Sequence, residues 1–240
     1  MMNKMTVSAA MILTIAAGST MAENLPLNFD NTSRAGDTLQ MQFETIAGGG
    51  AAGRVNVGGN NLQAGHIVHT IMSGAQAGSP FSTFCVELGQ NIGNGVLTYG
   101  IVDLTDAPMP GPTYGQFVAD SVSAVLANAL AMGWIDARLQ ADTGQENYLG
   151  RMGAIQAAIW EAVGGDVQIG SPGTSLFVFD AYNELMDSQS FDASSRMTGL
   201  RALVNPTRQD MLYVVPLPPA AFAGAGLLAA CFGVRNVRRR

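Results

Sequence analysis

The chain of 240 residues is long enough for one domain of ordinary size, and its 48% apolar residues argue against wholesale disorder. Residues 23–213 hold seven arginines, no lysine and all 18 acidic residues, which leaves this body with a formal charge of −11. Such a charge repels nucleic acid and anionic lipid, so the composition excludes a nucleic-acid-binding protein. The 29 glycines and 12% charged residues are typical of a turn-rich extracellular protein.

The amino-terminal residues have the three parts of a secretory signal peptide. A short positive region precedes an apolar run over residues 5–17, and Thr20 and Ala22 give the small-x-small pattern of a cleavage site. We therefore predict a signal peptide over residues 1–22, with signal peptidase cutting between Ala22 and Glu23. A retained membrane anchor is the alternative, and the small residues at the end of the run disfavour it.

The first half of the body, residues 23–213, predicts short strands. Apolar and polar residues alternate from Thr38 to Ile46, which is the pattern of a half-buried strand. Glycine clusters at 48–50 and 58–61 indicate turns, and such turn chemistry favours antiparallel pairing. The predicted strands cover residues 38–46, 54–57, 66–72, 80–88 and 97–104.

The period of the apolar residues changes after the proline-rich loop at 108–112. Helical spacing then predicts helices, followed by a closing strand, and the segment 171–174 is a plausible helix cap region. The order of elements predicts an α+β domain in which a helical insertion interrupts an antiparallel sheet. The predicted helices cover residues 117–139, 145–163, 174–186 and a short fourth at 196–204, and the closing strand covers 211–215.

Cys85 is the one cysteine expected in the mature body, because Cys231 lies in the apolar carboxy-terminal segment. An unpaired cysteine in an oxidising compartment is a liability unless it is buried, dimerised or used. Burial as a small hydrophobic residue of a strand is the plainest explanation.

Gln156 lies at the centre of the apolar stripe of the second predicted helix, among Met152, Ile159 and Trp160. A buried primary amide needs several hydrogen-bond partners, and leaving one group unsatisfied costs roughly 1–3 kcal/mol. A core glutamine that holds a strand backbone satisfies this need. Condensation with the Cys85 thiol into an internal thioester also satisfies it, because that reaction removes the free thiol and the amide together.

The last residues of the chain predict membrane insertion. The uncharged stretch 214–234 is about long enough to cross a bilayer, and arginines follow it. This tail, residues 214–240, resembles the PEP-CTERM sorting signals of Gram-negative bacteria in their Val-Pro-Leu-Pro variant. The matching motif residues are Val215, Pro216, Leu217 and Pro218. The resemblance implies removal of the tail by an exosortase after transient insertion in the inner membrane, and delivery to the cell surface or extracellular matrix.

Two motifs in the body resemble the thioester domain of bacterial surface proteins. An aromatic-Cys-aliphatic strand occurs at residues 84–86, and a Gln-x-Ala-aliphatic-Trp helix begins at Gln156. The resemblance implies that Cys85 and Gln156 form the thioester, with Ile155 in place of the usual threonine. It also extends to residues 205–215. The supporting motif residues that it implies are Phe84, Ala158, Ile159 and Trp160.

The leading hypothesis is a non-enzymatic, exported surface protein that attaches covalently to amines in adhesion or biofilm formation. The amine-bearing partner is a surface, a matrix or a polysaccharide, and no cofactor, metal site or nucleic acid is expected. A structural matrix protein of the same fold is the first alternative. The second is a cysteine-dependent hydrolase in which Cys85 pairs with His66 or His69.

Overall fold

The computed structural model describes residues 38–47, 53–74, 76–187 and 189–215. The predicted signal peptide, its cleavage site and residues 216–240 lie outside the described residues. The described part is α+β, as predicted. Its strands precede and follow a block of three helices, and they are mostly gathered in one antiparallel sheet.

Eight strands occur in the described residues, and most of the predicted ones are confirmed. Residues 80–88 form a strand only as far as Thr83, and residues 60–61, which we predicted as a turn, begin a strand. The strands are β1 (Thr38–Ala47), β2 (Arg54–Val57), β3 (Asn60–Gln63), β4 (His66–Ile71), β5 (Pro80–Thr83), β6 (Val96–Val102), β7 (Leu200–Asn205) and β8 (Arg208–Val214).

The larger sheet has six strands in the order β5-β4-β1-β6-β7-β8, and every neighbouring pair is antiparallel. Strands β2 and β3 form a separate hairpin in which Val57 pairs with Asn60. The two residues between them, Gly58 and Gly59, have φ of 55° and 82°. A two-residue hairpin turn needs positive φ at both positions, and glycine adopts it without steric cost.

The predicted fourth helix at 196–204 is wrong, because β7 occupies most of it. β7 is paired with β6 on one side and β8 on the other, and nearly all of its residues are buried. A short apolar run that is buried on both faces shows no alternation, so its periodicity does not separate strand from helix. Gly199 and Pro206 on either side of the run are the local signals that favoured a strand.

The three helices are α1 (Gly115–Ala131), α2 (Tyr148–Ala162) and α3 (Leu176–Leu185), and a short 3-10 helix covers Leu104–Asp106. The predictions for these three helices are confirmed to within a few residues, except that α1 ends eight residues before the predicted 139. Helix α2 is buried at every position from Met152 to Trp160. A helix that is apolar all round must lie inside the core, and α2 packs against α1, α3 and strands β2 and β4. None of the described helices is long and apolar enough to cross a membrane.

The two edges of the six-stranded sheet meet beside Cys85. Residues 84–87, here named the Cys85 segment, follow β5 and run antiparallel to β8, with Cys85 opposite Met211. The two edge strands β5 and β8 also contact each other directly, because Thr83 donates its hydroxyl hydrogen to the carbonyl of Leu212. The sheet therefore closes on itself at Cys85, which explains why the chain leaves regular pairing after Thr83.

Candidate functional site

The Cys85 segment is bound on one side by β8. The Leu212 amide donates to the Phe84 carbonyl over 2.8 Å, and the Val86 amide donates to the Asp210 carbonyl over 3.0 Å. These are ordinary backbone bonds between two extended chains. Cys85 itself points its own amide and carbonyl away from β8, as alternate residues of an antiparallel pair do.

A single side chain from α2 binds the other side. The Cys85 amide donates to Gln156 Oε1 over 2.8 Å, and Gln156 Nε2 donates to the Cys85 carbonyl over 2.8 Å. The carboxamide of Gln156 thus takes the place that a peptide group of a neighbouring strand would occupy. Its oxygen and one N–H are satisfied, although the residue is only 1% exposed.

This pairing brings the acyl carbon of Gln156 next to Cys85. A carbonyl bond is about 1.23 Å long, so Gln156 Cδ lies within about 4 Å of the Cys85 amide nitrogen. The structure therefore brings together the two residues that the sequence singled out, which are 71 positions apart in the chain.

Two further side chains hold the carbonyls that follow Cys85. The Tyr114 hydroxyl donates to the Val86 carbonyl over 2.6 Å, and Gln209 Nε2 donates to the Glu87 carbonyl over 2.8 Å. Sequence reasoning assigned no role to Tyr114, which lies just before α1 and two residues after the proline-rich loop. Gln209 falls in the stretch 205–215 that the resemblance covered, but without an assigned contact.

The Cys85 thiol is free, buried and neutral. Burial raises its pKa above the ordinary cysteine value, and the negative charge of Glu87 raises it further. A thiol in this state is a poor nucleophile towards external reagents, because the thiolate is the reactive form. Any reaction of Cys85 must therefore begin from the protonated thiol and depend on a partner held beside it.

His66 and His69 are buried on β4, and burial lowers the pKa of each to about 4. His69 Nε2 contacts the Met211 sulfur at 3.1 Å, and its ring stacks on Phe81. His66 lies edge-on to the ring of Phe84. The hydrogen bonds found between described residues include none from either histidine to the Cys85 thiol. The hydrolase alternative has no cysteine–histidine pair in this geometry.

The motif residues on α2 are buried, and among them Trp160 lines the pocket beside Gln156. Ala158, Ile159 and Trp160 are all buried, as is Phe84 on the Cys85 segment. Ile155, which stands where the resembling domains have threonine, is fully buried and apolar. Gln156 is therefore held in an almost fully buried part of α2, with its carboxamide directed at Cys85.

A pocket of about 170 Å³ opens beside the pair, and both Cys85 and Gln156 line it. Its other walls come from β1, β3, β4, the loop after the Cys85 segment, α2 and β8. Water and small solutes can thus approach the site from one direction. The remaining lining residues are Ile46, Leu62, Gln63, Gly65, Ile67, Leu88, Gln90, Asn91, Ile92, Trp160 and Gln209.

Asp210 anchors the far side of the Cys85 segment. Its carboxylate accepts the Asn205 amide over 2.8 Å and the Met109 amide over 2.6 Å, and the residue has no exposed surface. Burial raises the pKa of Asp210 to about 6, and Glu87 adds to the rise. Asp210 thereby fastens the proline-rich loop to the β7–β8 hairpin, which keeps Tyr114 in reach of the Cys85 segment.

Of the predicted sorting motif, only Val215 falls among the described residues. Its amide donates to the Gly199 carbonyl over 3.1 Å and extends the edge of the sheet by one contact. Pro216, Leu217 and Pro218, and the cleavage residues Ala22 and Glu23, lie outside the described residues. In the part of the chain that the structure covers, no three His, Cys, Asp or Glu side chains are grouped to hold a metal ion.

Comparison of the chain with family profiles, with curated proteins and with solved structures finds no match.

Proposed function

We propose that the protein is an exported surface or matrix protein whose domain carries an internal thioester between Cys85 and Gln156. The observation that carries the proposal is the reciprocal pair of 2.8 Å hydrogen bonds between the Gln156 carboxamide and the Cys85 backbone. The pairing holds the Gln156 carboxamide against the backbone of Cys85, whose thiol is buried, and a pocket lined by both residues supports access by small molecules. The proposed role is covalent attachment to amines, without catalytic turnover.

The bond-forming step needs no external base. The Cys85 sulfur attacks Gln156 Cδ, the thiol proton passes to Nε2, the C–N bond breaks, and ammonia leaves through the pocket. Negative charge develops on Oε1 during the attack, and the Cys85 amide already donates to that oxygen at 2.8 Å. A fixed donor aimed at a developing oxyanion lowers the barrier, because it needs no reorganisation at the moment of reaction.

In the attachment step an external amine is the nucleophile and the Cys85 sulfur is the leaving group. An unprotonated amine attacks the thioester carbonyl, the sulfur leaves, and the amine proton returns to it. The products are a substituted amide on Gln156 and the free Cys85 thiol. The same Cys85 amide stabilises the oxyanion, and the burial of Cys85 and Gln156 limits the approach of competing water to the pocket side.

The composition of the body agrees with a reactive acyl group. Residues 23–213 contain no lysine, so the domain carries no side-chain amine of its own that would consume the thioester. The proposed delivery route is a signal peptide over residues 1–22 and an exosortase-processed tail over residues 214–240. Both ends are then removed, and the mature domain works outside the inner membrane.

Intact mass spectrometry tests this function. The purified protein should be lighter by one ammonia than its sequence mass after allowance for processing of the ends. Incubation with methylamine should then raise the mass to one methylene group above the sequence mass and release one titratable thiol. A full sequence mass that methylamine leaves unchanged, with Cys85 alkylated after unfolding, would contradict the covalent proposal.

One observation favours a second candidate, a structural matrix protein without the bond. The Gln156 carboxamide already has hydrogen-bond partners on both its oxygen and its nitrogen. In that role the Gln156 side chain binds the amide and carbonyl of Cys85 that point away from β8, and this contact is here named the Gln156 clamp. Matrix incorporation or adhesion would then survive in a Cys85→Ala variant, whose backbone keeps both bonds, whereas the covalent proposal requires its loss.

A further inference from the structure

The pocket beside Cys85 and Gln156 has an unusual lining for a site that meets amines. None of the described residues that line it is charged. Its polar walls are carboxamides, from Gln63, Gln90, Asn91 and Gln209, and its other walls are aliphatic side chains and Trp160. A protonated amine therefore meets no carboxylate in the pocket wall, and the nearby charge that acts on Cys85, that of Glu87, comes from outside the lining.

This lining discriminates between classes of amine. A lysine side chain has an ordinary pKa of about 10.4, so it arrives as an ammonium ion that must lose its charge in a neutral pocket. An amine on a sugar ring is less basic, because the neighbouring oxygen substituents withdraw electrons. A larger share of it is unprotonated near neutral pH and ready to attack.

The carboxamides also suit the rest of such a molecule. Each Asn or Gln side chain offers both donors and an acceptor, which is the combination that a hydroxyl group needs. The aliphatic walls and Trp160 suit the C–H faces of a sugar ring. The pocket measures about 170 Å³ and is partly open, and since a closed cavity of about 150 Å³ holds benzene, a sugar ring would enter with part of its hydroxyl groups left at the open side.

We infer that the pocket selects an amino sugar, an uncharged hydroxyl-bearing amine, as the nucleophile that captures the Gln156 acyl group. This inference rests on the proposed thioester and specifies its substrate class. The amine nitrogen reaches the acyl carbon between Cys85 and Gln156, while the ring hydroxyls contact the carboxamides around it. Lysine of a protein partner is the competing class that the test must exclude.

The experiment compares 2-amino-2-deoxyglucose with N-acetyl-lysine amide as labels of the purified protein, with methylamine as a reference amine. A small soluble thioester supplies the intrinsic ratio of the two rates. We expect the protein to raise the ratio in favour of the amino sugar at least about ten-fold above that intrinsic value, which is the net contribution of about one hydrogen bond. N-acetylglucosamine, which has no free amine, should slow methylamine labelling in a saturable way.

A charge placed in the wall sharpens the test. Gln63 is exposed on β3, so Gln63→Glu adds a carboxylate to the pocket without disturbing the core. It should move the preference towards the lysine probe, whereas Gln189→Glu, the same change at an exposed position outside the pocket, should not. Methylamine labelling with an unaltered intrinsic ratio, no competition and no effect of Gln63→Glu would overturn this inference and leave the thioester intact. Failure of methylamine itself to label would overturn both.

Discussion

The Cys85 segment is held differently on its two sides. Towards β8 it makes backbone hydrogen bonds through Phe84 and Val86, and towards α2 it makes two bonds of the same length to one side chain, Gln156. Both sides satisfy the same kind of peptide group. The difference lies in chemistry, because a peptide bond in a strand is inert, whereas a primary carboxamide next to a thiol can lose ammonia.

Removal of the Cys85 thiol alone should have the largest effect on methylamine labelling. In Cys85→Ala the two bonds to Gln156 can still form, since they use backbone atoms of residue 85, but the proposed crosslink is lost, so the unfolding free energy should fall by roughly 2–4 kcal/mol. Labelling by methylamine should disappear completely. The check is intact mass with and without methylamine, alongside urea unfolding. Retained labelling would show that another residue carries the acyl group.

Removal of the amide alone should damage the fold most. Gln156→Met keeps the length of the side chain but leaves the Cys85 amide and carbonyl without partners. Each unsatisfied buried group costs about 1–3 kcal/mol, so the unfolding free energy should fall by roughly 2–6 kcal/mol. Gln189→Met, at an exposed position, serves as the control and should change it by less than about 0.5 kcal/mol. Equal losses of unfolding free energy in Gln156→Met and Gln189→Met would show that the two Gln156 bonds do not stabilise the fold.

A smaller loss should follow from the hydroxyl that supports Val86. Tyr114→Phe removes the 2.6 Å bond to the Val86 carbonyl and keeps the ring, so we expect a loss of about 1–2 kcal/mol by urea unfolding. The rate of methylamine labelling should change less than the stability does, because Cys85 and Gln156 keep their own pairing. A labelling rate that collapses with unchanged stability would assign Tyr114 to the reaction instead.

The last effect appears only at acid pH and concerns the β8 side, where His69 contacts Met211. The pKa of His69 is about 4 in the folded protein and about 6.5 when unfolded, so the folded state binds fewer protons between these values. Its contribution to stability is therefore present above pH 6.5 and is lost as the pH falls towards 4.

The pKa of Asp210, about 6, lies above its unfolded value, so Asp210 changes stability with pH in the opposite direction to His69. Both proteins keep Asp210, so the difference between wild type and His69→Leu isolates the contribution of His69 to stability. From pH 6.5 down to pH 4, the wild type should lose stability relative to His69→Leu by at most about 1.4 kcal/mol per pH unit. Urea unfolding at a series of pH values measures the difference. Parallel pH profiles for the two proteins would mean that His69 binds its proton as readily in the folded as in the unfolded state.

Local patterns predicted most of the elements correctly. Alternation predicted β1, and helical spacing predicted α2 with Gln156 inside its apolar stripe, because these signals need only one period and one buried face. The same reasoning failed at β7, which is buried on both faces and shows no alternation. It also extended β5 through Cys85, since composition does not reveal that the strand changes neighbours after Thr83.

By itself, the sequence determined the α+β class, the absence of lysine from the body and the two residues worth pairing, Cys85 and Gln156. Composition and helical period are properties of the chain, so no tertiary contact was needed for them. Only the tertiary structure decided that the carboxamide meets the backbone of Cys85, that β8 and Tyr114 hold the opposite side, and that a neutral pocket opens beside them. These depend on the sheet closing on itself, which joins residues more than a hundred positions apart.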